Sequence, residues 1–547
     1  MEKKAGTGHE MFNLGSIVEI AARKWANKVV LRHYESGRTI TYEEVAVMSS
    51  RVGNALRALG IEIENRVAIL MDDCPEWVYI LFGAVKIGAV VIPFNTLLTE
   101  KDYSFFLSDS RAKVLFIGAS HFDKVEAIIP SLPYLREVIV CQESGFQKTD
   151  GRVINWENFI QSASEELDLE PTVADDIALF VYTSGSTGKP RAIMHPHRNI
   201  AKPLFAIQEL YGIGEGDIQF HIPKLYFLTS FGGLKAAFHN GSSVVLLSGR
   251  PTPLRVLEVI ARCRPTFLNG PPTIFARMVE AAREAPHLAD LSSLRYIYCS
   301  GEALSPELFK TFLETFGKPL YNCWGMQELA CAPLSWQYGE EVPLDKVGSV
   351  GKYPIPGAEI KIVDERGNEV PNGDSGEIMV RVQGVVEREF LGYWHEPRHS
   401  ALRIVEGWYK PGDSFTRDLD GYYWYLGRLD DMIKVGGRQI FIIEVEQVVA
   451  RNPAILENAV IPAENEYGLT ELHAFVVLRK GYSPSHELAE QIKEFVKEEL
   501  APYKRPRHVR FVSALPKTAT GKIQRFRLRE QILKKEVTEK QEKVLGV

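Results

Sequence analysis

Short apolar runs rich in β-branched residues recur along the first part of the chain, each closed off by polar or turn-forming positions. Arg66–Leu70, Val90–Pro93, Lys113–Ile117 and Glu137–Cys141 carry the continuous signature of strands buried on both faces. Between them the spacing of apolar positions becomes helical. Thr41-Tyr42-Glu43-Glu44 opens one such pattern, running to about Leu59 with Thr41 as its N-cap, and a second helix is predicted near Glu76–Ile87. Strands alternating with helices predict a parallel sheet wrapped by helices. Trp77–Phe94 is the most apolar stretch, but Lys86 interrupts it and Gly and Pro punctuate it, so it reads as a buried helix and a strand rather than a membrane span.

Ile177–Val181 is a further strand, and Ser243–Leu247, Thr266–Asn269 and Tyr296–Cys299 repeat the buried signature, which predicts a second α/β sheet. From Val347 to Gly412 the texture changes. Glu359–Val363, Glu377–Arg381 and neighbouring short strands are separated by Gly, Pro and Asn, as in a small β-barrel-like unit. Beyond Asp430, strand signals at Val460–Pro462 and Ala474–Leu478 and an amphipathic helix near Leu488–Glu499 suffice for a compact α+β domain. The expected division is a large N-terminal domain, residues 1–429, and a small C-terminal domain, residues 430–547. The charged tail Lys534–Lys543 reads as a solvated helix end or a disordered segment.

Composition adds bounds. A chain of 547 residues is too long for one ordinary domain. With 64 basic against 70 acidic residues, nothing argues for a nucleic-acid or anionic-membrane partner. Six scattered cysteines without a CxxC pair read as thiols in a reducing compartment, with no zinc site. Met1–Glu10 is polar and lacks the apolar core of a secretory signal, so a cytoplasmic location is expected.

The candidate chemistry begins at Tyr182. Thr183, Ser184, Gly185, Ser186, Thr187, Gly188 and Lys189 place four hydroxyls, two glycines and an ammonium directly after a strand. Such a loop offers N–H groups, hydroxyls and a cation to one anion, most plausibly a polyphosphate. It is not the common P-loop, which has glycine where Thr183 stands and Ser or Thr where Pro190 stands. Read alone, the composition also fits a solvated turn.

Further runs follow in order: Trp324-Gly325-Met326-Gln327-Glu328, Gly407-Trp408-Tyr409-Lys410-Pro411-Gly412-Asp413, Gly427-Arg428-Leu429-Asp430-Asp431-Met432-Ile433-Lys434, and Pro516-Lys517-Thr518-Ala519-Thr520-Gly521-Lys522-Ile523. In this order and spacing the chain, from about Phe12 to about Arg529, resembles the adenylate-forming superfamily of acyl-CoA synthetases, peptide-synthetase adenylation domains and luciferases. Asn95–Thr99, Lys224–Phe227 and Leu246–Pro253 make it most similar to the benzoate–CoA ligase branch.

The resemblance implies a small C-terminal domain that rotates about a hinge at Asp430, and two half-reactions. A carboxylate attacks the α-phosphate of ATP, giving an acyl-adenylate and pyrophosphate; the thiol of coenzyme A then displaces AMP. Adenylation is needed because a carboxylate by itself has no good leaving group, and the site must cancel charge between two anions. By the same resemblance, the Thr183–Lys189 loop holds the β- and γ-phosphates, Gly301-Glu302-Ala303 and Trp324 contact adenine, and Glu328 binds Mg²⁺. Gly325 and Gln327 belong to the same nucleotide motif. Asp413 accepts from the ribose hydroxyls and Arg428 contacts the nucleotide. Lys522 bridges the acyl carboxylate and α-phosphate during adenylation, and Lys434, with Gly436 and Gly437, replaces it during thioester formation. Gly437 leaves room for the pantetheine arm.

Tyr226, Phe227, Leu228, Thr229 and Cys331 are expected to line the acyl pocket. Leu228 and Thr229 stand where the benzoate branch commonly has alanine and tyrosine, and Cys331 where histidine is common. Their uncharged replacements point to an uncharged substrate tail. A small aromatic or alicyclic monocarboxylate fits, of the benzoate or cyclohexane/cyclohexene carboxylate type. Gln327 replaces the usual threonine, which removes the basis for a hydroxyl contact to the α-phosphate. The alternatives are a short or branched aliphatic acid, an acceptor other than coenzyme A, and a non-catalytic sensor of acyl groups or nucleotides. The expected assembly is a monomer or homodimer.

Overall fold

The computed structural model describes residues 11–141, 151–184, 190–198, 210–382, 392–429, 432–435, 438–465, 469–517 and 523–532. By its contacts the chain forms two compact units. The larger comprises Met1–Lys361, Met379–Lys410 and Gly421–Tyr423; the smaller comprises Ile362–Ile378, Pro411–Asp420 and Trp424–Val547.

Two sheets build the larger unit. The first has seven strands in the order Val153–Asn155, Glu137–Cys141, Val114–Gly118, Arg66–Leu70, Val90–Pro93, Ile177–Ser184 and Pro190–Pro196. All pair in parallel except the last, which runs antiparallel to Ile177–Ser184. The predicted helix is Tyr42–Ala58, and its N-terminus is fixed by a capping box. The Glu44 backbone N–H donates to Thr41 Oγ1 at 3.2 Å, and Glu44 Oε2 accepts from the Thr41 N–H at 2.6 Å. The apolar stretch after it is the buried helix Pro75–Lys86 followed by the strand Val90–Pro93. Lys86 is fully buried there, and its ammonium donates to Ala46 O and Ser50 Oγ and pairs with Glu19. Among the described residues no helix is long and apolar enough to cross a membrane.

The second sheet has nine strands: Tyr353–Pro354, Cys331–Ser335, Tyr321–Met326, Tyr296–Cys299, Phe267–Gly270, Ile218–His221, Ser243–Leu246, Val29–His33 and Thr39–Thr41. Its centre is parallel and its edges antiparallel. The hydropathy pattern does not single out Val29–His33, Ile218–His221 or Tyr321–Met326. The helices between these strands bury apolar faces against the sheet, with Phe220, Leu257, Ile260, Phe275 and Phe312 in one continuous core.

The change of texture after Val347 marks short antiparallel pairings. Within the larger unit Val380 pairs with Tyr409; within the smaller, Ser375–Glu377 pairs with Ser414–Thr416. The rest of the smaller unit is α+β. Ile455–Glu464 and Thr470–Leu478 pair antiparallel, His508–Phe511 adds in parallel, and the helices Ile442–Ala450 and His486–Glu499 contribute to the core around Val460, Val476 and Ile492. Ser485 caps the second helix, its Oγ accepting from the Leu488 N–H at 3.1 Å. Asp430 and the tail Lys534–Lys543 lie outside the described residues.

Candidate active site

In the larger unit, Thr183 sits half-buried near the end of Ile177–Ser184, opposite Arg191 of the returning strand. Gly185, Ser186, Thr187, Gly188 and Lys189, and the side chain of Ser184, lie outside the described residues. Gly301-Glu302-Ala303 follows the strand Tyr296–Cys299, at the carboxyl end of the parallel sheet, where open α/β sheets bind ligands. Gly301 adopts φ +92°, and a Cβ there would meet nothing within 4 Å, so conformation rather than crowding calls for glycine.

Trp324–Glu328 forms a hairpin. Tyr321–Met326 turns back into Cys331–Ser335, with Trp324 opposite Leu334 and Met326 opposite Cys331. At Gly325 a Cβ would lie 2.6 Å from Cys331 O and from Ala332 Cα, so only glycine lets the two strands close. Ala330 completes the reversal in the left-handed region, φ +52°. The turn thus carries Glu328 and Cys331, expected to serve metal binding and the acyl wall respectively, three positions apart. Trp324 is buried.

The Tyr393 hydroxyl donates to Glu328 Oε1 at 2.9 Å and lies 3.4 Å from the Tyr409 hydroxyl. A phenol bound to a carboxylate fixes where that carboxylate points. Such an oriented oxygen ligand suits a hard cation like Mg²⁺. Sequence reasoning assigned neither tyrosine to the site. Tyr409 stands inside the quoted run Gly407–Asp413; Tyr393 carries no local signal beyond its place after Gly392.

Of the expected acyl-pocket residues, Tyr226 and Leu228 line an apolar cavity with Trp77, Leu225 and Phe231. Phe227 is half-buried beside Tyr226, with ring centroids 4.8 Å apart, and Thr229 is exposed. The segment before the pocket is anchored by charge. Lys224 Nζ donates to Leu247 O, and Asp73 Oδ1 accepts from the Leu225 N–H at 3.0 Å. Asp73 is fully enclosed, and burial pushes its carboxyl up to about 6 while Lys224 opposes the rise.

The residues that line this cavity are uncharged, and a buried cation stands on the same helix. Leu228, Phe231 and Lys235 share one face of the helix Leu228–Asn240, and Lys235 is 1% exposed. Its ammonium lies 5.4 Å from the centroid of the Phe231 ring. Burial pushes Lys235 down to about 7, and burial pushes the neighbouring Cys331 thiol up to about 12, with Lys235 opposing. His195, on the strand Pro190–Pro196, is fully buried near them; burial and the Lys235 cation push it down to about 3. Helical spacing from Leu228 was the available signal for Lys235.

In the smaller unit, Asp413 is buried on the strand Asp413–Arg417, and Arg428 ends the strand Tyr423–Arg428. Arg428 Nη1 donates to Asp413 Oδ1 at 3.0 Å, and the Leu429 N–H donates to Gly412 O at 2.8 Å. The structure therefore brings together two residues named from separate motifs. Lys434 lies on Met432–Val435, paired antiparallel with Arg438–Phe441, but its side chain is outside the described residues, as are Gly436, Gly437 and Lys522.

A comparison with protein families matches residues 18–394 to the AMP-binding enzyme model and residues 444–522 to the AMP-binding enzyme C-terminal domain. The chain belongs to the AMP-binding enzyme family. It is similar to a 3-hydroxybenzoate–CoA ligase of Aromatoleum sp. (strain CIB), 35% identical over 90% of this chain and 92% of that one. A benzoate–CoA ligase of Thauera aromatica is also 35% identical, over 91% and 92%. Among solved structures, the anthranilate CoA ligase AuaEII in complex with anthranoyl-AMP superposes with TM-score 0.86 at 34% identity, over 95% of this chain and 97% of that one. A benzoate CoA ligase from Burkholderia xenovorans LB400 gives 0.83 at 32% identity, over 95% and 100%. These matches place the chain in the adenylate-forming superfamily beside its benzoate–CoA ligase branch.

Proposed function

We propose that this protein is an AMP-forming acyl-CoA ligase that activates a ring carboxylic acid, aromatic or alicyclic, by adenylation with ATP and passes the acyl group to coenzyme A. The observation that supports this best is the Trp324–Ser335 hairpin, which holds an oriented Glu328 three positions from Cys331, on the strand packed against the helix that borders the apolar cavity. Relatives that act on benzoate and hydroxybenzoate support the ring acid.

In this reading the Thr183–Lys189 loop carries the outer phosphates, and Gly301-Glu302-Ala303 with Trp324 the adenine. Asp413, held by Arg428, accepts from the ribose. Glu328 would hold Mg²⁺, which supplies charge cancellation between the incoming carboxylate and the triphosphate. Lys522 neutralises the α-phosphate and acid during adenylation; Lys434, Gly436 and Gly437 serve the thiol step, with Asp430 as the hinge between residues 1–429 and 430–547.

The test separates the two steps. Purified protein with ATP, Mg²⁺ and a panel of acids is expected to release AMP only when coenzyme A and a ring acid are both present. Lys522→Ala is expected to lose about a hundredfold or more in acid adenylation while thioester formation from supplied acyl-adenylate falls far less. AMP release that ignores coenzyme A would point to another acceptor, and higher kcat/KM with palmitate than with every ring acid would overturn the substrate class.

A further inference from the structure

Near the helix that borders the apolar cavity lie buried polar side chains, of which Lys235 and His195 have no part in the nucleotide site described above and Gln327 belongs to the nucleotide motif. His195 is fully buried, and neither of its ring nitrogens has a hydrogen-bond partner. Gln327 Oε1 is buried and likewise unpartnered. The Lys235 ammonium stands 5.4 Å from the ring centroid of Phe231, which lines the cavity, and its electrostatic neighbours are Cys331 and His195. The His195 ring comes nearest to a partner at the Gln327 backbone, whose weak hydrogen bond works against the effect of burial. All four belong to the larger unit, on the strand Pro190–Pro196, the helix Leu228–Asn240 and the hairpin Tyr321–Ser335.

Buried polar atoms are nearly always paired in native proteins, and each exception calls for an explanation. An apolar benzoate ring would leave His195 and Gln327 as they are. A ring oxygen placed over Phe231 would accept from the Lys235 ammonium and bring a donor or acceptor within reach of His195 and Gln327. A ring amine, being a donor, would meet a like group at Lys235.

We propose that Lys235, His195 and Gln327 form a polar subsite of the acyl pocket that takes an oxygen-bearing substituent on the ring, a hydroxyl or a second carboxylate. Lys235 is its principal donor and a determinant of specificity. The inference rests on the ring-acid reading above and narrows it to acids with a second oxygen function.

The experiment measures kcat/KM for AMP release with benzoate, 3-hydroxybenzoate, benzene-1,3-dicarboxylate and 3-aminobenzoate, in the native protein and in Lys235→Met. The native protein is expected to favour one of the two oxygen-bearing acids over benzoate by at least about tenfold, and to disfavour the amine, because a site built to bond a substituent rejects the analogue lacking it. The hydroxyl and carboxylate arms show which oxygen function the subsite serves. In Lys235→Met the preference is expected to collapse to within about twofold. A preference that survives Lys235→Met overturns the subsite, and so does a native protein that turns over benzoate as well as either oxygen-bearing acid. That second result needs no variant and holds even if Lys235→Met fails to fold. Turnover of none of the ring acids would overturn the ring-acid reading, and the subsite with it.

Discussion

The Tyr393–Glu328 hydrogen bond, at 2.9 Å, is the most exposed point of the proposed chemistry to a single atom change. Tyr393→Phe removes the hydroxyl and keeps the ring, so the carboxylate loses its orientation but not its charge. Bonds to charged groups contribute about 1.5–3 kcal/mol, so kcat/KM for AMP release is expected to fall about tenfold to a hundredfold. The Mg²⁺ concentration for half-maximal rate should rise, and a titration of rate against Mg²⁺ checks this. An unchanged Mg²⁺ dependence would show that the tyrosine has no hold on the glutamate. Glu328 could be named from a five-residue run, because the resemblance that marks it is carried by contiguous residues. Tyr393 could not, since it reaches Glu328 across 65 positions and its partner is visible only in the folded chain. Asp413 and Arg428 were legible separately; that they bind each other was not. Lys235 escaped for a different reason: a cation inside an apolar helix face breaks the pattern from which the pocket was read.

Among the elements, the helix Leu228–Asn240 offers a sharp test of packing, because its two adjacent glycines face different surroundings. At Gly233 a Cβ would come within 1.9 Å of the His221 ring, whereas at Gly232 it would meet nothing within 4 Å. Gly233→Ala is therefore expected to destabilise by about 1–3 kcal/mol through overpacking. Gly232→Ala is expected to stabilise by up to about 1 kcal/mol through helix propensity. Thermal melts of the two variants should shift in opposite directions; equal shifts would contradict the packing described. Elements with a strong period were readable from sequence, and Arg66–Leu70, Val90–Pro93, Glu137–Cys141 and Tyr296–Cys299 match their expected bounds. Ile218–His221 was not, because Gln219 and His221 are polar, although Gln219 is buried and bonded to Ser242 and to the Gly233 carbonyl. Tyr321–Met326 was read as a motif rather than a strand, and its buried Asn322 donates its amide N–H groups to the carbonyls of Gly348 and Ser349. Val29–His33 pairs with Ser243–Leu246, more than two hundred positions away, and no local pattern announces such a partner.

For the molecule as a whole, buried imidazoles set the response to acid. Burial pushes His195 to about 3 and His197 and His221 to about 4, each from 6.5. Since the unfolded chain binds these protons first, their contribution is full above pH 6.5 and shrinks as pH falls toward the folded values. At pH 5 each costs about 2 kcal/mol. Asp73, raised to about 6, works in the opposite sense and returns about 1 kcal/mol at the same pH. The balance is loss, so the urea midpoint should drop between pH 7 and pH 5, before ordinary carboxylates titrate. A flat midpoint across that window would contradict the burial of these rings. The reversal at Ala330 has a consequence for how such an enzyme can change its diet. Because Glu328 and Cys331 flank the same strained bend, a substitution that shifts the backbone at Cys331 also tugs on Glu328, the proposed ligand of the cation. In the function proposed above, selectivity for the acid and competence toward the nucleotide would be geared together there.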